Sequence, residues 1–255
     1  MHVAVCVKQI PDPASPGRLD PATKTLVREG KLILDDSDAY GVEMALQLVD
    51  KAGGGEVTLV SMAPRGEAGG LRTALAMGAH RAILVSDDQL RGADALVTAK
   101  VLAAAIRRAA PDLVLAATES TDGYTGTTPA QLAELLGWPS ITFAKRIESD
   151  GTTASVERQT EAGYDEVECP LPALVTVTAG VVEPRYPSFK GIMSAKSKPV
   201  EQLSIADLGI EGSLAVGQEV VEVVAAEERQ AGEIVQDDGE GYARIVEFLE
   251  KAKVI

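Results

Sequence analysis

The chain has 255 residues, 45% hydrophobic but only 4% aromatic, with a formal net charge of −14. That length suits one large domain, or one domain with an appendage, whose core is packed by Ala, Val, Leu and Ile. The acidity argues against a nucleic-acid partner, since phosphate neutralisation needs a basic face, and there is no run of about 18 uncharged apolar residues to insert in a membrane.

The opening "MHVAVCVKQIPDP" enters an apolar run without a basic leader or a small-residue cleavage site, so no signal peptide is expected and the protein is read as cytoplasmic. "HVAVCV" (2–7) predicts a buried strand. Between 10 and 35 the pattern lapses into a proline-rich loop followed by a short hairpin turned at "REGK" (28–31). Helical patterns at 38–53, 69–79, 92–109 and 127–137 then alternate with strand-like runs at 56–63, 81–86 and 112–117. In the helix over 92–109, Leu96, Ala99, Val101, Leu102, Ala105 and Ile106 are expected to face inward. Lys100, Arg107 and Arg108 come late in it, where cations suit the helix dipole. Such alternation implies right-handed crossovers and a Rossmann-like α/β fold with a mostly parallel, doubly wound sheet.

After residue 140 the pattern changes. Segments 141–149, 152–160, 164–170 and 173–180 are strand-like and separated by turns such as "SDG" and "EAG", which predicts an antiparallel extension of the sheet. Residues 183–198, "EPRYPSFKGIMSAKSK", hold four basic residues and one acid, with Pro184, Pro187 and Gly191 interrupting any regular element. The domain is drawn as residues 1–198. Residues 199–255, with an acidic stretch at 220–241 and an amphipathic terminal helix carrying Ile245, Val246, Phe248 and Leu249, read as an arm for another subunit or as a loose appendage.

Enzyme signatures are absent from this pattern. His2 and His80 accompany no nucleophile or ligand set and read as solvated or structural. Cys6 and Cys169 are far apart in sequence and read as buried thiols. No P-loop and no GxGxxG follows the first strand. The acids of "LDDSDAY" (34–40) fit metal ligands or helix N-caps, and their spacing favours caps. The stretch "ATESTDGYTGTTPAQLAELLG" (117–137) follows a strand and opens a helix at the carboxyl edge of the sheet, where open α/β folds bind ligands. Gly123 and Gly126 permit close backbone approach, Thr125, Thr127 and Thr128 bring hydroxyls, and Asp122 suits a ribose hydroxyl or a backbone N–H. Free N–H groups at the helix start suit a phosphate. The alternative is a Ser/Thr/Gly loop before a capped helix with Pro129 in its first turn.

In order, these segments resemble the beta subunit of electron transfer flavoproteins. "VAVCVKQIPDP" is similar to that family's opening strand and loop, "LRTALAMGAHRAILVSD" to its "RTALAMGAD-R" segment, "ESTDG" with a helix ending "GWP" to its nucleotide loop, and "EPRYPSFKGIMSAKSK" to its "EPRY…IM-AKKK" segment. The resemblance implies a heterodimer. An alpha subunit holds most of an FAD that collects electrons from acyl-CoA and other flavin dehydrogenases and passes them to a membrane quinone oxidoreductase. The beta subunit holds a structural AMP, braces its partner and presents a recognition loop. It is an electron-carrier subunit with no catalytic residue and no metal.

Carried over by matching segments, the AMP contacts are Cys6, Asp35, Asp36, Ser37, Asp38, Met62, and the run Asp122, Gly123, Tyr124, Thr125, Gly126, Thr127 and Thr128. The loop carries fewer acids than AMP-type members and lacks their Gln-Thr-Gly, and "TDG" also fits electron-bifurcating relatives, which hold a second FAD in this pocket and oxidise NADH. Pro13 stands where some relatives have a tyrosine near the flavin. Phe189 matches the leucine anchor of the recognition loop, flanked by Lys190, Ile192, Met193 and Lys196. Burying three apolar side chains there contributes about 4.5–9 kcal/mol gross against an association cost of about 4–15 kcal/mol, which predicts a transient contact. Asp165 matches an acid that pairs with an arginine of the mobile flavin domain. A nucleotide-binding protein of universal-stress type, forming homo-oligomers without a flavin partner, is the remaining alternative, and it gives 183–198 no role.

Overall fold

The computed structural model describes all residues except 16, 64–65, 211–213, 225–231, 233 and 238; part of the acidic stretch 220–241 therefore lies outside the described residues. The chain begins with β1 (His2–Cys6), β2 (Gln9–Pro11), β3 (Leu19–Asp20), β4 (Thr25–Leu26) and β5 (Leu32–Leu34). Alternation follows: α1 (Asp36–Lys51), β6 (Glu56–Ala63), α2 (Gly69–Met77), β7 (Arg81–Ser86), α3 (Ala95–Ala109), β8 (Leu113–Ala117) and α4 (Thr128–Leu136). Next come β9 (Ser140–Ser149), β10 (Thr153–Thr160), β11 (Gly163–Pro170), β12 (Ala173–Val177), α5 (Phe189–Ala195), β13 (Val200–Leu203) and α6 (Gly241–Lys251).

Nine strands form one sheet in the order β11-β10-β9-β12-β8-β1-β6-β7-β13. From β9 to β13 every pairing is parallel, while β10 is antiparallel to both β9 and β11. The central strands are covered on both faces, which is why they read as nearly unbroken apolar runs. On one face α1 and α2 pack over Val3, Val5, Leu59 and Leu115, and on the other α3 and α4 pack over Ala4, Val60, Ile83 and Val114. The connections β1-α1-β6 and β6-α2-β7 move outward in one direction, and α3 then returns the chain to β8 on the opposite side of β1. The strand order therefore reverses between β1 and β8, and the crevice at their carboxyl ends is the expected ligand position.

Four expectations are corrected. The hairpin is β3–β4, turned at residues 21–24 with Lys24 at φ 56°, and "REGK" belongs to the connection into β5, which pairs with β2. β12 joins the parallel set beside β8 instead of the antiparallel extension, which its five consecutive buried residues permit. In α3, Leu96 is 46% exposed and Val97, at 3%, takes the inward place, because Asp94 caps the helix and starts it later than the pattern suggested. The segment 183–198 is not wholly irregular: Ser188 accepts a hydrogen bond from the Gly191 N–H (3.0 Å) and opens α5, which runs through Gly191.

The described residues divide into two units, Met1–Val220 and Val221–Ile255. β13 pairs with β7 and completes the parallel edge, so residues 200–203 belong to the first unit. The second unit carries α6, on which Ile245 and Phe248 are exposed.

Candidate functional site: the crevice between the first and eighth strands

Two acids at the start of α1 close the crevice. Asp35 is fully buried and caps the helix: one carboxylate oxygen accepts from the Ser37 N–H (3.0 Å) and the other from the Thr121 N–H (2.8 Å). A single side chain thus binds the helix to the loop after β8. The Asp35 N–H donates to the Lys8 carbonyl (3.0 Å), and the buried Asp38 accepts from the Lys8 N–H (2.5 Å), so the chain leaving β1 is pinned to the same turn. Asp36 is exposed and Ser37 half-buried in that turn, where negative charge suits the helix dipole.

Asp122 lies across from them with its side chain buried. It accepts from the Lys8 ammonium (2.6 Å) and from the Arg28 guanidinium, and Lys8 also reaches the Ser120 hydroxyl (3.2 Å). The acids titrate in opposite directions. Burial pushes the Asp38 carboxyl well above the usual range, outweighing the Lys8 N–H, with the Asp35 and Asp122 charges adding to the rise. At Asp122 burial is outweighed by the hydrogen bond and charge of Lys8 and by Arg28, which hold the carboxyl below its usual value. The crevice therefore keeps one carboxylate ionised between two cations and biases its neighbour towards the neutral acid.

Cys6 and Met62, half-buried near the ends of β1 and β6, pack against the α3/α4 side of the core. Burial, with the Asp38 charge adding to it, pushes the Cys6 thiol up to about 12, so it is an apolar neutral contact and no nucleophile. In the loop after β8, Tyr124 (φ 47°) and Gly126 (φ 69°) take left-handed backbone conformations. Tyr124 donates its N–H to the Ser120 carbonyl (3.0 Å), while Gly123 lies near the Ser120 hydroxyl and the Lys8 ammonium. Thr125 sits between these glycines. Thr127 is the N-cap residue of α4, but its hydroxyl makes no capping bond and accepts from Gln131 (3.2 Å) instead. The first-turn N–H groups of Thr128 and Ala130 are left without an answering cap side chain, and Pro129 between them has no N–H. The Gln131 amide oxygen is buried without a hydrogen-bond partner.

Of the residues predicted for nucleotide binding, Asp35, Asp38 and Asp122 are linked through Thr121 and Lys8, and Cys6 lies within reach of the Asp38 charge, while the residues predicted for partner binding lie elsewhere. Asp165 is on the edge strand β11, where it faces Arg158 of its own chain at 3.8 Å. Phe189, Lys190, Ile192, Met193 and Lys196 are on or just beyond α5, all exposed, with Phe189 82% exposed. The connection that leads into α5 is tied to α1 by Arg185, whose guanidinium donates to both oxygens of the buried Glu43 carboxylate (2.6 and 3.1 Å).

Sequence reasoning missed Lys8, Arg28 and Glu43. Lys8, a cation directly after the first strand of an acidic chain, offered a local signal, whereas the partners of Arg28 and Glu43 lie 94 and 142 residues away. Gln9 was missed as well. Its side chain accepts from the Gly70 N–H (2.8 Å) and donates to the Glu67 carbonyl (2.7 Å), seating the 7–35 connection on the start of α2. The two histidines have structural bonds: His2 Nε2 with the Thr58 hydroxyl (2.8 Å), and His80 Nδ1 accepting from the Val57 N–H (3.0 Å).

Residues 23–208 match the family described as the electron transfer flavoprotein domain. Among curated proteins, the chain is 38% identical to the electron transfer flavoprotein subunit beta of Mycobacterium bovis, over 100% of this chain and 99% of that one. It is 37% identical to the subunit of the same name from Thermoanaerobacterium thermosaccharolyticum, over the whole of both chains. It is 39% identical to the caffeyl-CoA reductase-Etf complex subunit CarD of Acetobacterium woodii, over 82% of this chain and 80% of that one. With the crossover order and the loop after β8 in place, the chain belongs to the electron transfer flavoprotein family, among its beta subunits.

Proposed function

We propose that this chain is the nucleotide-holding, non-catalytic half of a cytoplasmic heterodimeric electron carrier. An alpha subunit carries FAD, which supplies the redox chemistry when bound, and this subunit holds AMP and presents α5 to acyl-CoA and related flavin dehydrogenases. A membrane quinone oxidoreductase is the proposed acceptor. Among the described residues no helix is long and apolar enough to cross a membrane itself.

The observation that supports the nucleotide reading is the strand-order reversal, where the loop after β8 holds Asp122 against Lys8 and Arg28 and leads into α4, whose start has no capping side chain. The Thr128 and Ala130 N–H groups suit a phosphate, as do Lys8 and Arg28 once they turn from Asp122. Asp122 suits ribose hydroxyls, and the unpartnered Gln131 oxygen is an acceptor for an exocyclic amine. Cys6 and Met62 offer an apolar contact for a base, while Asp35 and Asp38 fix the two walls. The C-terminal part of the 199–255 segment, from residue 221 on and including α6 with its exposed Ile245 and Phe248, is proposed as the arm that contacts the alpha subunit. Asp165, beside Arg158 on an exposed edge, is proposed to bias the position of an arginine-bearing flavin domain.

A second reading places a second FAD in the same crevice, in a complex that oxidises NADH. It is favoured by the likeness to a subunit named for a caffeyl-CoA reductase complex. The universal-stress reading is set aside by the family match. The test is to coexpress the chain with its alpha subunit, denature the purified complex and quantify the released nucleotides. One FAD and one AMP per heterodimer supports the simple carrier, two FAD and no AMP supports the second reading, and a complex with one FAD and no further nucleotide overturns both.

A further inference from the structure

α5 lies closer to α2 than two helices with ordinary side chains can. A Cβ on Gly191 would fall 2.3 Å from the Ala76 carbonyl oxygen, so only glycine allows this approach. Two cations tie the segments together at the helix ends. Arg72, in α2, donates through Nη1 to the carbonyls of Ala195 (2.7 Å) and Lys198 (2.8 Å), where α5 runs out. Lys198 in return donates through its ammonium to the carbonyls of Leu75 (2.8 Å) and Ala79 (2.7 Å), where α2 runs out. Arg72 thus answers the Ala195 carbonyl at the end of α5, and Lys198, three residues beyond α5, answers the Leu75 carbonyl in the last turn of α2. Meanwhile α5 buries only Ala195 among its own residues. Isolated helices shorter than about 12–15 residues are marginal in water, so a seven-residue helix with this little burial owes its shape to these ties.

We infer that Gly191, Arg72 and Lys198 are positioning residues: they hold Phe189, Ile192 and Met193 as a preformed array, so that docking need not order the segment. The inference rests on the reading that α5 meets the dehydrogenase. Preorganisation lowers the ordering cost of association and leaves later electron transfer unchanged.

The test uses the purified heterodimer as electron acceptor for an acyl-CoA dehydrogenase, with KM, kcat, bound nucleotide and melting temperature measured for four variants. Gly191→Ala drives a methyl into the Ala76 carbonyl, Arg72→Gln removes the double cap, Arg72→Lys keeps a cationic donor, and Phe189→Ala removes the docking side chain. Gly191→Ala and Arg72→Gln are expected to raise KM about tenfold, equivalent to about 1.4 kcal/mol, with kcat and nucleotide content unchanged and Arg72→Lys recovering part of the loss. If Phe189→Ala leaves KM unchanged, the docking reading itself fails and the inference falls with it. If Phe189→Ala raises KM but neither Gly191→Ala nor Arg72→Gln does, positioning is refuted and docking stands. Loss of kcat or nucleotide in step with KM makes the ties merely structural, which also overturns the inference. Should Gly191→Ala fail to fold, Arg72→Gln and its lysine rescue decide alone.

Discussion

Asp35→Asn is the sharpest probe of the crevice because the two carboxylate oxygens have separate tasks. One accepts from the Ser37 N–H at 3.0 Å and caps α1, and the other accepts from the Thr121 N–H at 2.8 Å and ties down the loop after β8. An amide has one oxygen. If it keeps the cap, its NH2 group faces the Thr121 N–H, donor against donor, in a site without solvent access. Losing one hydrogen bond to a charged acceptor costs about 1.5–3 kcal/mol. For a chain of this size that corresponds to a fall of about 3–12 °C in melting temperature. Asp35→Ala also removes the cap and costs about 0.5–2 kcal/mol more. In scanning calorimetry of the purified heterodimer, Asp35→Asn should melt lower than wild type and Asp35→Ala lower still. Nucleotide released on denaturation should fall in both, because the loop that opens α4 is no longer braced to α1. An Asp35→Asn complex with wild-type melting and full nucleotide content would refute the brace.

Two further outcomes are expected. Arg185→Ala leaves the Glu43 carboxylate buried with only Gln47 as a side-chain donor, at a cost of about 1–3 kcal/mol, because the guanidinium is itself partly solvated. Burial would raise the Glu43 carboxyl, but the Arg185 and Gln47 hydrogen bonds outweigh it and hold it below the usual range. The pair's contribution is thus complete above the ordinary glutamate range and is lost as pH falls through the depressed value; a melting difference between wild type and Arg185→Ala that grows on acidification would contradict this. Gly70→Ala should destabilise the protein although it lies in α2. Helix propensity offers about 1 kcal/mol, but the new Cβ would lie 2.8 Å from the Leu34 nitrogen and 2.9 Å from both the Ile33 carbonyl carbon and Gln9 Cγ, and such overpacking costs about 1–3 kcal/mol. A higher unfolding midpoint in urea would show that this contact yields.

Much of the fold was legible because strands buried on two faces and helices buried on one leave different periods in the sequence. The run 56–63 and the run 81–86 coincide with β6 and β7. Pairing partners were less legible. β12 carries no mark saying that its neighbour is β8, and the two-residue strands β3 and β4 are too short to show alternation, so the turn was assigned to "REGK". The helix α5 was hidden by its prolines and glycine, although Ser188 followed by an apolar residue is a start signal. The crevice was legible where its residues occupy contiguous segments, as in 35–38 and 122–128. It was illegible where chemistry depends on distant pairing, as with Arg28 on Asp122 or Arg72 on the carbonyls beyond α5.

The reversal of strand order also has a consequence in time. β1 is the first strand made, yet β8, which covers one of its edges, is among the last of the central strands, and Lys8 is 114 residues from Asp122. At synthesis rates of about 5–20 residues per second, Lys8 precedes that partner off the ribosome by about 6–23 s. Over that interval β6 can shield only one edge of β1, and the other is open to pairing with foreign strands. The crevice comes into being only when that edge is covered, so the link from Lys8 to Asp122 marks a chain whose sheet has closed around its oldest strand.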